Sequence, residues 1–246
     1  MEKTVEDRIQ FIENTPDTTV DVVVVTEFEG ELLFLLNRRS DDEQDPFPNK
    51  LGLCGVYFDI SQDNTIEDAA IRGIKNKAHL ESTPHLEFLG TFSNRGRDPR
   101  WHTLTVVMLC YVNYDNIQGN SKYDDVEFLT YSEIKESMGL AFDHEKIIDY
   151  AYEKVKKDAQ ISAKVVNFLP EMFTLAELQK LYERVLGDSL DKSSFRKQVA
   201  LSDLVVETND YSSGSRGKPA KLFTVNSNFD LSNDWFFPRS VAKNKG

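Results

Sequence analysis

Long apolar runs are missing from this 246-residue sequence, in which no stretch of about 18 consecutive apolar residues occurs. We therefore expect no membrane span, and the first seven residues also lack the apolar core of a signal peptide. Cysteine is scarce: Cys54 and Cys110 each lie in an apolar run, which is typical of buried thiols in a reducing cytoplasm. The four histidines show no metal-ligand spacing, so we expect no metal site, and we expect no other cofactor.

The sequence also lacks an excess of basic charge. Its 29 Lys and Arg residues face 41 Asp and Glu residues, for a formal charge of −12. This balance at first argues against nucleic-acid binding, because DNA affinity depends largely on the neutralisation of phosphates. However, residues 1–159 carry 17 basic and 31 acidic residues, whereas residues 160–246 carry 12 and 10. The acidity belongs to the first part, so a DNA-binding role of the second part is not excluded.

Residues 1–158 have the pattern of an α+β domain with a mixed sheet and flanking helices. Apolar and β-branched runs predict strands, and amphipathic stripes predict helices. The first helix opens with a Thr-x-x-Asp capping box at Thr65. The predicted strands are 20–27, 31–38, 51–58, 86–91, 103–112 and 126–130, and the predicted helices are 65–77 and 144–157.

Residues 159–246 have a different pattern. A capping box at Thr174 opens a helix to about Leu186, which Gly187 ends, and Asp191 caps a second helix to about Leu201. Two strands follow, at 204–208 and 221–225, joined by a loop with a basic tip. This order is typical of a winged helix-turn-helix domain, so we expect two domains, 1–158 and 159–246.

The segment from Leu53 to Leu80 resembles a Nudix box, Gly-x5-Glu-x7-Arg-Glu-U-x-Glu-Glu-x-Gly-U, where U is apolar. Arg72, Ile74 and Leu80 fit the pattern, whereas Gly73, Asn76 and Lys77 replace its three helix carboxylates and His79 replaces its glycine.

The substitutions in this box remove its chemistry. Carboxylates at positions i, i+3 and i+4 share a helix face, where they can hold the Mg²⁺ or Mn²⁺ that activates water on a diphosphate. Gly73 and Asn76 supply no charge, and Lys77 places a cation where the metal would lie. The box therefore predicts a Nudix scaffold that is not an enzyme.

The sequence as a whole resembles the NrtR-type Nudix-related transcriptional regulators. The resemblance is carried by the box, by the winged helix and by three further segments, residues 18–23, 96–103 and 140–144. The resemblance covers about residues 18–226. It implies a homodimer whose Nudix-like domain binds a small-molecule effector, ADP-ribose or a sugar, without hydrolysing it. It also implies a repressor of NAD-related genes that binds palindromic double-stranded operator DNA. Trp101 stands where this family usually has Gly, so the identity of the ligand stays open.

Several residues are candidates for effector binding. Two guanidinium groups around Pro99 can clamp a diphosphate, although salt bridges from Arg97 or Arg100 to Asp98 explain the same residues. A solvated strand end likewise explains Arg38 and Arg39. The predicted effector-binding residues are Arg38, Arg39, Arg97, Asp98, Arg100 and His102.

The predicted DNA-binding residues lie on the second helix of the winged helix domain and at the wing tip. The N-terminal part of such a helix usually reaches base edges in the major groove, and a basic wing suits phosphates or a minor groove. A protein-binding winged helix with a solvated basic hairpin is the alternative. The predicted residues are Lys192, Ser193, Ser194, Arg196 and Lys197 on the helix, and Arg216, Gly217 and Lys218 in the wing.

Two other functions stay open at this stage. The first is a sugar-responsive regulator on the same scaffold. The second is a Nudix pyrophosphatase that uses displaced metal ligands, which the residues of the box argue against.

Overall fold

The computed structural model describes residues 15–80, 85–117, 119, 123–212 and 219–232. None of the helices within these ranges is long and apolar enough to cross a membrane. The strands are β1 (Asp17–Phe28), β2 (Glu31–Arg38), β3 (Leu51–Gly52), β4 (Cys54–Tyr57), β5 (His85–Phe92), β6 (Thr103–Tyr111), β7 (Val126–Thr130), β8 (Val205–Tyr211) and β9 (Lys221–Val225). The α-helices are α1 (Ile66–Lys77), α2 (Tyr131–Glu136), α3 (His144–Ile161), α4 (Leu175–Leu186) and α5 (Lys192–Ser202).

Strand β1 is the centre of a seven-stranded mixed sheet. Five of its strands follow the order β3-β2-β1-β6-β5, and β4 and β7 pair with β1 and β2. It pairs in parallel with β6, from Asp17 opposite Thr103 onward. Its first half pairs antiparallel with β4 and its second half with β2, while β7 adds to the other edge of β2. Because β1 is covered on both faces, its residues from Val20 to Thr26 are all buried, which explains the continuous β-branched run.

The two faces of the sheet are covered by different helices. On one face, α1 packs Ala69, Ala70 and Ile74 against alternate residues of β1, such as Val22 and Val24. Thr65 caps this helix through the predicted capping box, with Asp68 as its partner. On the other face, the buried side of α3 packs against the intervening residues of β1. The two cysteines are free and buried, as predicted.

Helix α3 links the sheet domain to the C-terminal part. It runs to Ile161, four residues past the predicted end at residue 157. The predicted domain boundary at 158 therefore falls inside a helix, and this boundary stays a prediction. Near its C-terminal end, Asp158 accepts a hydrogen bond of 2.6 Å from the Tyr111 hydroxyl of β6. Lys154 of α3 and Lys164 beyond it both pair with Glu87 of β5. In addition to these polar contacts, a continuous hydrophobic core extends from the sheet, along α3, to α4 and α5.

The C-terminal part folds as a helix pair followed by a two-stranded hairpin. Thr174 caps α4, Gly187 ends it in the left-handed conformation with φ of 72°, and Asp191 caps α5, all as predicted. The ring centroids of Tyr182 and Phe195 lie 6.5 Å apart between the two helices. Strands β8 and β9 are antiparallel. This arrangement confirms the winged helix-turn-helix expected from the sequence.

Candidate functional site

A cleft of about 190 Å³ opens beside the N-terminal half of β1. Strands β1 and β4 form its floor, the loop from Arg97 to Arg100 forms one side, and the segment that starts α3 forms another. The C-terminal end of α1 completes it. Charged and aromatic side chains dominate its lining: Asp21, Arg39, Tyr57, Lys77, Arg97, Asp98, Arg100, Phe142 and His144.

Arg97 holds two of these walls together. The residue is only 8% exposed. It donates hydrogen bonds of 2.9 and 3.2 Å to the Asp143 carboxylate and one of 3.2 Å to Oδ2 of Asp21. The hydroxyl of Thr103 accepts a further bond of 3.2 Å. Because these partners belong to the start of α3 and to β1 and β6, Arg97 fixes the loop against the sheet and the helix.

His144 is buried beside this network and acts as a hydrogen-bond acceptor. The backbone N–H of Leu53 donates to its Nδ1 at 3.0 Å. Burial lowers the pKa of His144, so the ring is neutral near pH 7, and its Nε2 lies 3.6 Å from Oδ1 of Asp21.

Two glycines allow the backbone of β3 and β4 to come this close. A Cβ at Gly52 would lie 2.9 Å from Nδ1 of His144, and a Cβ at Gly55 would lie 2.1 Å from Oδ1 of Asp21. Side chains at either position would therefore displace the groups that form the cleft.

The other two arginines of the cleft are also paired. Arg100 donates bonds of 3.0 and 2.8 Å to Asp98, which also accepts the Arg100 backbone N–H at 2.9 Å. Burial opposes the charge of Asp98, but these hydrogen bonds outweigh it and lower the pKa of this carboxyl. Arg39 makes a similar two-bond pair with Asp45. Both guanidinium groups face the ring of Phe142, at 4.8 Å for Arg39 and 5.8 Å for Arg100.

Lys77, at the end of α1, differs from the arginines. Lys77 lines the cleft, and its ammonium makes no hydrogen bond or ion pair with any residue that the structure describes. Burial lowers the pKa of Lys77, because it removes water from the charged form.

A divalent metal does not fit this helix face. Gly73 packs against β4, where a Cβ would meet the Cys54 carbonyl oxygen at 3.3 Å, and Asn76 points to solvent. Within the described ranges, no cluster of three or more His, Cys, Asp or Glu residues is suited to a metal. Arg72, which fits the box, is bound to Asp63 at 2.7 and 2.9 Å and to the carbonyl of Tyr57.

The structure brings four of the six predicted effector residues to the cleft: Arg39, Arg97, Asp98 and Arg100. Arg38 is not among the lining residues, since its side chain bonds the Asn49 carbonyl at 2.7 Å and pairs with Glu127. His102 is exposed and also lies outside the lining.

Several lining residues were not among the predicted effector residues: Asp21, Lys77, Phe142 and His144. Asp21 could have been recognised as a candidate from the sequence, because it is a carboxylate inside the apolar run of β1. The Leu-Ala-Phe-Asp-His segment at 140–144 contained the signal for Phe142 and His144, and Asp143 of the same segment binds Arg97.

A second candidate surface lies on α5. All five predicted residues of this helix, Lys192, Ser193, Ser194, Arg196 and Lys197, are exposed. Phe195 and Val199 are buried against α4, as predicted. The helix therefore presents three cations and two hydroxyls on its outer side. The wing residues Arg216, Gly217 and Lys218 lie outside the described residues.

Two family models match the chain. The NUDIX domain matches residues 15–151, and the NrtR DNA-binding winged helix domain matches residues 165–225. Together with the fold and the two surfaces, they define a Nudix-related transcriptional regulator. The chain belongs to the NrtR family of these regulators, which confirms the resemblance found in the sequence.

Known proteins support this assignment along most of the chain. The chain is 31% identical over 228 residues to the ADPR responsive transcriptional repressor NtrR of Acinetobacter baylyi, covering 92% of this chain and 88% of that protein. It is similar to Shewanella oneidensis NrtR complexed with a 27mer DNA, with a TM-score of 0.79 and 32% identity, over 89% of this chain and 97% of the other. The NUDIX domain of Shewanella oneidensis NrtR complexed with ADP ribose matches 62% of this chain and 99% of that domain, with 27% identity and a TM-score of 0.50.

Proposed function

We propose that this chain is a homodimeric repressor of NAD-related genes in the cytoplasm, which binds palindromic operator DNA and releases it when ADP-ribose binds the cleft. The observation that supports this most is the likeness to NrtR bound to DNA over 89% of the chain. The exposed cations of α5 lie on the element that enters the major groove in winged helix proteins.

The chemistry of the cleft suits a diphosphate that joins two ribose units. Arg39 and Arg100 offer guanidinium edges, and Lys77 offers an ammonium. The rings of Tyr57 and Phe142 supply apolar surface for a base or a sugar, while Asp21 and Asp98 can accept hydrogen bonds from ribose hydroxyls. In this proposal Arg97 positions the walls, because its donors are occupied by Asp143, Asp21 and Thr103.

The proposed role of the Nudix domain is binding without turnover. Gly73, Asn76 and Lys77 occupy the positions of the metal-binding carboxylates, and the relatives that match along most of the chain are regulators. A pyrophosphatase with displaced ligands would hydrolyse ADP-ribose in the presence of Mg²⁺. We expect no Mg²⁺-dependent release of AMP above the level of protein-free buffer.

The proposed function is tested by gel shifts on the DNA upstream of the chain's own gene and of NAD-related genes. We expect specific binding at moderate salt, and loss of the shifted band when ADP-ribose is added. A panel of sugars in the same assay covers the sugar-responsive alternative, because a sugar that releases DNA when ADP-ribose does not would replace the proposed effector. Absence of specific binding to any duplex would overturn the regulator itself.

Changes in the wing test whether DNA binding and effector binding depend on different surfaces of the chain. The double change Arg216→Ala with Lys218→Ala should weaken operator binding and flatten its dependence on salt, since two phosphate contacts are removed. Binding of ADP-ribose, measured by calorimetry on the same variant, should stay as in the unchanged chain. Equal DNA affinity of variant and unchanged chain would remove the wing from the proposed interface.

A further inference from the structure

The four cations that line the cleft are not equivalent. Arg39, Arg97 and Arg100 each make at least two hydrogen bonds to carboxylates. Lys77 has no such partner among the described residues, although Asp21 and Asp45 are near enough to favour its charge. The arginines are therefore held by carboxylates in direct contact before any ligand arrives, whereas Lys77 makes no such direct pair with the described residues.

Lys77 also occupies a distinctive position in the fold. It is the last residue of α1, on the helix face where the Nudix pattern places its metal-binding carboxylates. The same face packs Gly73 against the Cys54 carbonyl, which leaves no space for a longer side chain without a shift of β4. This face therefore supplies one positive charge of its own where the pattern would supply negative charges to a metal.

We infer that the Lys77 ammonium takes the place of the divalent cation, and that the chain binds the diphosphate of its ligand without metal. This inference rests on the proposed function, because it concerns how the same cleft recognises a diphosphate. It concerns recognition only, and no bond of the ligand is broken.

The physical reason lies in the partial burial of Lys77. An ammonium that has lost part of its water and makes no direct ion pair is poorly stabilised in the free protein. Burial and the nearby Arg39 outweigh the attraction of Asp21 and Asp45, so the pKa of Lys77 is lowered. A phosphate oxygen beside it supplies both a charge-assisted hydrogen bond and a negative charge in direct contact. The paired arginines gain less, since a ligand must compete with the carboxylates that already hold them.

Calorimetric titration of the full chain with ADP-ribose tests this inference. The unchanged chain should bind with the same affinity, within about twofold, in EDTA and in excess Mg²⁺. Lys77→Met keeps the apolar stem and removes the charge, and it should weaken binding by about tenfold or more, as expected for one lost charge-assisted hydrogen bond. Lys77→Arg keeps the charge and should restore most of the affinity.

Arg38→Met is the matched control, because it removes one cation that the structure places outside the cleft lining. It should bind ADP-ribose like the unchanged chain. Thermal unfolding of each ligand-free variant shows whether it folds; should Lys77→Met not fold, the comparison of EDTA with Mg²⁺ on the unchanged chain decides.

Two results would overturn the inference while leaving the proposed function in place. The first is binding of ADP-ribose that disappears in EDTA, which would mean that a metal is required. The second is equal affinity of the folded Lys77→Met variant and the unchanged chain. In contrast, an unchanged chain that binds no ADP-ribose in either buffer would overturn the proposed effector, and the inference with it.

Discussion

Arg97 in the cleft and the cations of α5 have opposite surroundings. Arg97 is 8% exposed and lies between the carboxylates of Asp21 and Asp143. On α5, Lys192, Arg196 and Lys197 are exposed and form no ion pair with the described part of the chain. Buried paired charges interact strongly at short range and are little affected by salt, whereas exposed charges act at longer range and are screened within about 8 Å at physiological ionic strength.

This difference separates two uses of the same residue type. In the cleft, Arg97 maintains a shape, and its removal should cost stability. On α5, we propose that the cations attract phosphates, so that their removal should reduce affinity and its salt dependence without affecting the fold. The overall charge of −12 describes neither surface, because each depends on a few local groups.

The largest expected effect follows from removing Arg97. Arg97→Met leaves Asp21 and Asp143 buried without their partner, which should lower the free energy of unfolding by about 3–5 kcal/mol. Urea unfolding of the full chain measures this loss.

Arg95→Met is its matched control, since Arg95 is an exposed arginine of the same loop. This change should alter the free energy of unfolding by no more than about 0.5 kcal/mol. Equal losses for the two variants would show that the network around Arg97 contributes nothing special.

An intermediate effect is expected on α5. The double change Arg196→Ala with Lys197→Ala should weaken operator binding by about tenfold at moderate salt and reduce the slope of log affinity against log salt by about 2. The free energy of unfolding should stay within about 0.5 kcal/mol, because both side chains are exposed.

The control for α5 removes equal charge from the exposed side of α3, as Lys146→Ala with Lys157→Ala. The slope should then remain that of the unchanged chain. A slope that falls equally in both double variants would mean that net charge, and not the position of the cations, governs DNA binding.

The smallest expected effect concerns a partly exposed ion pair between α4 and β1, in which the Glu27 side chain is 8% exposed. Arg184 of α4 lies 3.3 Å from the Glu27 carboxylate at the end of β1, and the side chain of Arg184 is 46% exposed. The pair should contribute less than about 1 kcal/mol, and this contribution should vanish in 1 M salt. A double-mutant cycle of Glu27→Gln and Arg184→Met, followed by urea unfolding, measures it. A coupling energy above about 3 kcal/mol would contradict this prediction, because the pair would then stabilise the fold as strongly as the buried network around Arg97.

Most of the elements could be predicted because their signals are local. The bounds of β2, β7 and α4 agree with the predicted ranges, and the caps at Thr65, Thr174 and Asp191 are formed by the residues expected. Helix α2 was missed, because six residues are too few to show a helical period, although Thr130 and Glu133 form a capping box before it.

The cleft was only partly predictable. The guanidinium groups around Pro99 were found from their chemistry, but Asp21 and Phe142 belong to the lining through contacts between segments far apart in sequence. Arg38 and Arg39 illustrate a second limit, since adjacent residues at a strand end point in different directions and only one reaches the cleft. Deciding which one requires the register of β2 with its neighbours.

The length of α3 has a geometric consequence. Asp143 and His144 at its start contact the cleft, and its last turns pack against the winged helix domain. Its 18 residues form a rod of about 27 Å. A tilt of about 5° around the cleft end would shift the far end by about 2 Å, the size of the helix displacements found at regulated interfaces. A small change of tilt at Asp143 would thereby be magnified at the base of the winged helix domain.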